Sequence, residues 1–193
     1  MARTSFAVAA ILASLAAGRV HAETADRRPA FEILVDNRAP DAGPELAAAQ
    51  ARVRYIFGAA GIRVTSAARA SGPAVPGLER IVVVLLDETA EDRLVTGDVR
   101  RLGFAVPPAN RVYVHYARVH DLARHHGVEP GWFLGVVMAH ELAHVLLPRT
   151  GHAEEGIMAP SLTPDPKCPP AFSREEGRLI RHRLEGQTLL ALN

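Results

Sequence analysis

Two histidines and a glutamate in the C-terminal half of the chain have the types and the spacing of a metal-binding, proton-transferring site. They form the run His140-Glu141-Leu142-Ala143-His144. Residues four apart on an α-helix lie on one face, about 6 Å apart along its axis. Both imidazoles can therefore reach one metal ion. The carboxylate of Glu141 projects beside them, where it can act as a base on a bound water.

The residues before this run are apolar, which predicts that the helix is buried. Phe133–Val137, Met138 and Ala139 contain no charged side chain. An ionisable Glu141 is costly in such a helix unless it is paired or lies beside a metal ion. The pattern is typical of zinc peptidases, so it predicts Zn²⁺ as the cofactor and Glu141 as the catalytic base. The alternative is a helix with two structural histidines.

A third histidine follows at a distance from which it can return to the pair. Pro148 ends the helix soon after His144, and Gly151 allows a sharp reversal of the chain before His152. A catalytic zinc takes three protein ligands and keeps one position open for water. The sequence therefore predicts His140, His144 and His152 as the metal ligands.

With the following run Gly156–Pro160, these residues resemble the metzincin metallopeptidases, and the run itself is similar to the turn of the matrixins. The resemblance implies a zincin-like domain with a long zinc-binding helix and a methionine-bearing turn, the Met-turn. It assigns Met158 to an apolar floor beneath the metal. It also implies that a peptide substrate aligns along an edge strand, here Leu102–Val106.

The chain departs from that family at two points. Leu147 stands where the family usually has a glycine, and His152 arrives two residues later than its third histidine usually does. Carboxylates nearby or on the last helix therefore remain alternative third ligands. They are Glu154, Glu155, Glu175 and Glu176.

The remaining pattern predicts an α/β (α+β) fold of one domain, a twisted mixed sheet with helices packed on it. The predicted strands are Phe31–Val35, Ile62–Val64, Ile81–Leu86, Leu102–Val106 and Arg111–Val119. The predicted helices are Pro44–Ala60, Asp121–Gly127, Pro130 to about Leu147, and a C-terminal helix from Ser173 to about Leu190. Polar or Pro-rich loops are predicted at Ala70–Gly77, Glu88–Arg101 and Pro160–Pro170.

The first 22 residues have the layout of a secretory signal peptide. Arg3 precedes an apolar run, Phe6–Ala17, that is too short for a membrane span, and small residues precede the cleavage point after Ala22. We therefore predict a signal peptide at 1–22, a catalytic domain at 23–193, and a secreted or periplasmic protein. An uncleaved anchor or an N-terminal helix is the alternative.

Charge and cysteine content exclude several other classes of protein. The signal removes Arg3 and Arg19 from 22 basic residues, against 21 acidic ones, so the mature chain is nearly neutral. Such a chain has no electrostatic footprint for nucleic acid or, after signal cleavage, for a membrane. The single Cys168 excludes an internal disulfide. We expect this thiol to be buried or merely tolerated, and the protein to be a monomer.

The function predicted from these residues is a zinc metalloendopeptidase that hydrolyses peptide or protein substrates with a zinc-bound water activated by Glu141. Two other hypotheses for the function remain open. They are an exported zinc-binding domain without turnover and a zinc-dependent small-molecule amidase. His120, His125 and His126 suggest a second metal site, but no carboxylate or cysteine completes a ligand set there. A solvated helix face is the favoured interpretation of that cluster.

Overall fold

The computed structural model describes residues 28–66, 77–87 and 101–191, with side chains described to residue 186. The predicted signal peptide lies outside the described residues, as does most of the predicted loops Ala70–Gly77 and Glu88–Arg101. Within the described ranges, no helix combines the length and the apolar character that crossing a membrane would require.

Five strands form one mixed sheet. They are β1 (Ala30–Asn37), β2 (Arg63–Ser66), β3 (Glu79–Leu86), β4 (Gly103–Val106) and β5 (Arg111–His115). Their order across the sheet is β2-β1-β3-β5-β4. The four strands β2, β1, β3 and β5 pair in parallel, whereas β4 runs antiparallel to β5. Among the described strands, β4 therefore lies at one edge of the sheet.

The centre of the sheet is β3, and its composition explains its position. Its residues Val83–Leu86 are all buried, so both faces of the strand are covered. A continuous run of β-branched and aliphatic residues is typical of a parallel strand between two layers. The predicted buried strand Ile81–Leu86 is confirmed, with two further residues at its start.

In the described part of the chain, four α-helices accompany this sheet. They are α1 (Leu46–Ala59), α2 (Tyr116–His125), α3 (Pro130–Leu146) and α4 (Arg174–Ala191). A 3₁₀ helix, Pro40–Glu45, precedes α1, so the predicted helix from Pro44 begins in a tighter turn than expected. Helix α3 carries the predicted site, and it packs against α1, α2, β4 and β5.

Helices α1 and α3 approach so closely that two positions of α3 exclude a side chain. A Cβ atom at Gly135 would lie 2.5 Å from the carbonyl oxygen of Ala49, and one at Gly131 would lie 2.8 Å from that of Glu45. Atoms at such distances overlap, so only glycine permits this packing. Carbonyl groups at the end of the 3₁₀ helix and within α1, together with the Cβ atom of Arg52, which lies 2.5 Å from a Cβ placed at Gly135, therefore limit how closely α3 can approach.

The predicted strand Arg111–Val119 is wrong in its second half. Strand β5 ends at His115, and α2 begins at Tyr116, earlier than the predicted helix start at Asp121. The buried residues Tyr116, Val119 and Ala123 are three and four apart, which is the spacing of one helix face. The alternation that predicted a strand does not extend past His115.

The ends of α3 follow from its flanking residues. Pro130 occupies the first turn, where its missing N–H costs nothing, and Glu129 caps the helix. The carboxylate of Glu129 accepts hydrogen bonds from the backbone N–H groups of Gly131, at 2.9 Å, and Trp132, at 2.5 Å. Helix α3 ends at Leu146, one residue before the predicted Leu147 and two before Pro148.

Helix α4 begins with the predicted capping box. The Ser173 N–H donates to a Glu176 carboxylate oxygen at 2.7 Å, and the Glu176 N–H donates to the Ser173 hydroxyl at 3.2 Å. Two of the four unpaired N–H groups of the first turn are satisfied in this way. With this helix, the predicted mixed α/β fold, with five strands and packed helices, is confirmed.

Candidate metal centre and catalytic cleft

Three imidazoles converge at the C-terminal end of α3. Ring nitrogens of His140, His144 and His152 all lie within 4.8 Å of one another. The Nε2 atom of His144 is 3.1 Å from Nε2 of His140 and 3.3 Å from Nε2 of His152. The structure thus brings together the three histidines that the sequence analysis selected.

The distances between these nitrogens suit a tetrahedral zinc site. With Zn–N bonds of 2.0–2.1 Å, two ligand nitrogens of a tetrahedron lie about 3.3–3.4 Å apart. The two Nε2 pairs are at 3.1 and 3.3 Å. Imidazole nitrogen is also a preferred donor for Zn²⁺. The three-histidine cluster therefore fits Zn²⁺ in both its chemistry and its spacing.

Hydrogen bonding alone does not account for the cluster. Nε2 of His144 can donate one proton or accept one, but it faces two other Nε2 atoms. Without a cation, at most one of the two contacts is a hydrogen bond, and the other places two lone pairs or two protons together. A shared cation would satisfy all three nitrogens.

A backbone carbonyl orients His140. Its Nδ1 lies 2.7 Å from the carbonyl oxygen of Ile157, which can only accept a hydrogen bond. Nδ1 must therefore carry the proton, and Nε2 keeps its lone pair for the centre of the cluster. Hydrogen bonds of this kind commonly fix the tautomer and orientation of metal-binding histidines.

The same turn holds the segment that carries His152. Gly156 has φ = +81°, a left-handed conformation that favours glycine, and the Ala159 N–H donates to its carbonyl at 3.3 Å. The Ala153 N–H donates to the carbonyl of Met158 at 2.8 Å, next to His152. Met158 is fully buried. One turn therefore supports both His140 and His152.

Burial favours the neutral form of two of these histidines. Desolvation lowers the pKa of His140, although the hydrogen bond to Ile157 opposes this shift. Desolvation, together with the neighbouring imidazoles, lowers the pKa of His144 to about 4. A neutral imidazole is the form that binds metal. Both residues are thus ready to bind a cation at neutral pH.

Glu141 is buried beside the cluster. Its exposed fraction is 5%, and burial raises the pKa of its carboxyl to about 8, while the positive charge of Arg101 opposes the shift. A carboxyl that is expensive to ionise accepts a proton readily once ionised. This is the property that a general base needs near neutral pH.

Glycine at position 103 lets the edge strand approach Glu141. A Cβ atom there would lie 2.9 Å from both Cγ and Oε1 of Glu141, and 2.7 Å from the carbonyl oxygen of Tyr113. Residue spacing along the chain carries no signal for this contact, because it joins β4 to the C-terminal half of α3, which lies far from it in the sequence.

A cleft of about 790 Å³ opens over the cluster. Strand β4 forms one wall, and the chain after the methionine-bearing turn forms another. The lining residues include Leu102–Ala105 from the first wall and Pro160–Leu162 from the second. Glu141, His140, His144 and His152 also line the cleft. The arrangement places a metal-binding cluster and a base beside the edge of a sheet.

The alternative carboxylates lie elsewhere among the described residues. Glu154 and Glu155 are exposed, Glu175 pairs with Arg178 at 2.6 Å, and Glu176 caps α4. None of them joins the three histidines in the cluster. Cys168 is exposed and also lies outside the cluster, which contradicts a buried thiol and leaves a merely tolerated one.

The second histidine cluster does not assemble into a ligand group among the described residues. His125 and His126 are exposed near the end of α2. His120 lies 3.3 Å from Asp121 and 3.9 Å from Glu45.

Arg101 lines the cleft but was not predicted as a site residue. In the sequence, Arg100-Arg101 is only a short basic pair that belongs to no motif.

No protein-family model and no curated protein matches the chain. Among solved structures, it is similar to an archaemetzincin from Methanopyrus kandleri, at 18% identity and a TM-score of 0.49, covering 85% of this chain and 99% of that one. It is also similar to a zinc-dependent peptidase from Methanocorpusculum labreanum, at 14% identity and a TM-score of 0.37, covering 84% and 100%. Such low scores establish no relationship, so the properties of the site follow from its own geometry.

Proposed function

We propose that the protein is a zinc-dependent endopeptidase of the metzincin type, with His140, His144 and His152 as ligands and Glu141 as the general base. One observation carries the proposal. Three imidazole nitrogens converge beside a buried carboxyl, in a cleft bounded by β4, the edge strand among the described strands. The three parts are a metal-binding set, a base and a surface for an extended peptide.

The three histidines leave the fourth position of a tetrahedral site without a protein ligand among the described residues. A structural zinc site has four protein ligands, whereas a catalytic site has three. When bound, a zinc ion supplies a Lewis acid and two positive charges, which lower the pKa of water and of neighbouring carboxyls and polarise a carbonyl.

Glu141 carries the proton through the reaction. Its carboxylate takes a proton from the attacking water and passes it to the nitrogen of the leaving amine as the peptide bond breaks. The carboxyl lies against Gly103 of β4, so it stands beside a peptide that pairs with this strand. Its burial excludes bulk water, which would otherwise compete for the proton.

Strand β4 positions the substrate. Its inner edge pairs with β5, with Gly103 opposite Val114 and Ala105 opposite Val112, and its outer edge borders the cleft. An extended peptide can bind such an edge by main-chain hydrogen bonds. These bonds require no particular side chain, so peptide or protein substrates of varied sequence can be aligned over the metal.

The methionine-bearing turn supports the finer comparison with matrixins. Gly156–Pro160 forms a tight turn whose carbonyl groups accept hydrogen bonds from the His140 ring and from the Ala153 N–H, next to His152. Met158 is fully buried, as an apolar floor beneath the metal requires. The proposal further includes export through the signal peptide at 1–22 and a monomeric mature protein at 23–193.

The test combines metal analysis with a peptide-library assay on the purified mature chain. We expect about one equivalent of zinc, cleavage of internal peptide bonds, loss of cleavage with a chelator, and recovery when zinc is restored. Zinc without cleavage of any peptide would indicate a binding domain without turnover. Hydrolysis of small amides alone would indicate an amidase. A protein that takes up no transition metal would refute the proposal.

A further inference from the structure

The cleft has an uneven distribution of charge along β4. Of the described residues that line it, Arg101 is the only one with a basic side chain other than the histidines, Glu141 is the only one with a carboxyl, and most of the others are apolar. Arg101 lies two residues before Gly103, at the N-terminal end of the strand. Its side chain is exposed, so the guanidinium remains hydrated and available to a ligand in the cleft.

The backbone at Arg101 is held in place. Its carbonyl accepts a hydrogen bond from the guanidinium of Arg118 at 3.0 Å, and the neighbouring carbonyl of Leu102 accepts one from the His115 N–H at 2.9 Å. The guanidinium is therefore attached to a fixed point beside the cleft. Its positive charge acts on both Glu141 and His115. It opposes the rise that burial causes in the pKa of Glu141, and it adds to the fall in the pKa of His115.

The hydrogen-bond register shows which groups of β4 face the cleft. The bond between the His115 N–H and the Leu102 carbonyl places that pair in a hydrogen-bonding position. In an antiparallel ladder these positions alternate. Gly103 and Ala105 therefore direct their N–H and C=O groups to the free edge. A peptide bound there is anchored opposite Gly103, which is also the level of Glu141.

The direction of β4 determines on which side of the cleaved peptide bond Arg101 lies. An antiparallel peptide, the more stable pairing, runs from the level of Val106 toward Gly103 and on past Arg101. Two residues of an extended chain span about 7 Å. Arg101 therefore lies near the substrate residue about two positions beyond the cleaved bond, on the side of the leaving amine.

We infer that Arg101 makes the enzyme selective for substrates with a carboxylate on the leaving-amine side, one or two residues beyond the cleaved bond. This inference rests on the proposed peptidase function. An acidic side chain and the terminal carboxylate of a short peptide present the same group, a planar anion that a guanidinium binds with two parallel hydrogen bonds. In its ionised form, the form that acts as the base, Glu141 disfavours acidic residues closer to the bond.

The experiment uses the zinc-loaded mature protein and one internally quenched peptide in matched forms. In the first set of pairs, Glu is compared with Gln at one position at a time, over the three positions after the cleaved bond. In a further pair, the peptide ends two residues after that bond, and its C-terminus is either a free carboxylate or an amide. We expect kcat/KM to be about fivefold higher for the carboxylate member of at least one pair, an effect typical of one exposed ion pair. This preference should weaken as salt rises from about 0.05 to 0.5 M.

Variants assign the preference to Arg101. Arg101→Gln should reduce the carboxylate-to-neutral ratio to about one, and Arg101→Glu should lower it below one. Arg124→Gln, at an exposed position of α2, is the matched control and should retain the wild-type ratio. The ratio is independent of how much activity each variant keeps.

The possible results separate the two proposals. Cleavage of the neutral peptides with equal rates for the carboxylate forms would overturn the role of Arg101 and leave the peptidase function intact. A preference that persists in Arg101→Gln would also overturn it. Failure to cleave any peptide with zinc bound would instead refute the proposed function, and the selectivity with it.

Discussion

The Nδ1 atom of His140 donates its proton to the carbonyl of Ile157 over 2.7 Å, and this bond joins the long helix to a turn 17 residues later in the chain. The bond is buried, so water does not compete for either partner. It holds the imidazole in one tautomer, with the proton on Nδ1, before a metal ion binds. The cost of orienting this ligand is therefore met on folding, which favours tight metal binding.

Replacement of Glu141 should separate metal binding from catalysis. Glu141→Gln preserves the volume of the side chain but cannot accept a proton, so we expect full zinc content and a fall in kcat/KM of about 10²–10⁴-fold. His144→Ala removes a ligand and should instead lose the zinc. Zinc analysis beside peptide hydrolysis measures both, and an active Glu141→Gln variant would exclude Glu141 as the base.

Position 103 should tolerate no side chain. Gly103→Ala places a Cβ atom 2.9 Å from Glu141 and 2.7 Å from the Tyr113 carbonyl, so either β4 or the carboxylate must move. We expect a loss of about 1–3 kcal/mol in the free energy of unfolding, and a lower kcat at saturating substrate. Chemical denaturation and steady-state kinetics measure the two effects.

Gly58→Ala is the matched control for that substitution. Gly58 lies within α1, and a Cβ there meets no atom within 4 Å. Alanine is the better helix former, so this variant should be neutral or up to about 1 kcal/mol more stable. Equal stability of the two variants would show that β4 does not press against Glu141 in solution.

The metal-free protein should lose stability as the pH falls below about 6.5. Burial, followed by the charges of Arg118 and Arg101, lowers the pKa of His115 to about 4 from an ordinary 6.5. The unfolded chain therefore binds a proton here before the folded chain does. The associated stability is complete above pH 6.5 and is lost as the pH falls toward 4, by up to about 3 kcal/mol. His140 and His144 shift in the same direction.

Thermal melts of the chelated protein between these pH values measure the effect. In His115→Gln the decline of Tm with falling pH should be shallower, because a titrating group has been removed. His125→Gln, on the surface, controls for the loss of an imidazole as such. The same slope in wild type and His115→Gln would contradict a neutral, buried His115.

Two arginines of α4 should differ sharply in their contribution to stability. Arg183 donates to Glu79 at 2.8 Å, where the Glu79 side chain is 3% exposed, whereas Arg178 and Glu175 form a pair with both side chains more than half exposed. Arg183→Ala leaves a buried carboxylate without its partner and should cost about 2–4 kcal/mol. Arg178→Ala should cost less than about 1 kcal/mol. Urea unfolding compares them, and similar costs would contradict the burial of Glu79.

The parts of the site that the sequence predicted are those encoded in one stretch of chain. His140, Glu141 and His144 share a helix, so the helical period alone relates their positions. The return of His152 was predicted from Pro148 and Gly151, which interrupt the helix nearby. Residue type and local spacing suffice for both inferences, because no other element has to be placed first.

The parts that were missed depend on contacts between distant segments. Gly103 is adjacent to Glu141 only because β4 packs against α3, and Arg101 reaches the cleft through the same contact. Glu129 was not predicted as the cap of α3, since side chains such as Ser, Thr, Asp and Asn are the preferred caps. The boundary at Tyr116 was misplaced because β5 passes directly into α2 without a turn residue.

The two glycines on the back of α3 have a consequence for how the cleft tolerates mutation. Gly131 and Gly135 rest on carbonyl oxygens of Glu45 and Ala49, atoms that every amino acid possesses. The near side-chain atoms of α1 are the Cβ atoms of Arg52 and Ala48, which all residues except glycine possess. Changes of side chain beyond Cβ at these two positions therefore leave the contact atoms in place, while any substitution at the two glycines alters the spacing. The seat of the histidine-bearing helix is thus defined by backbone and Cβ atoms on the side away from the cleft.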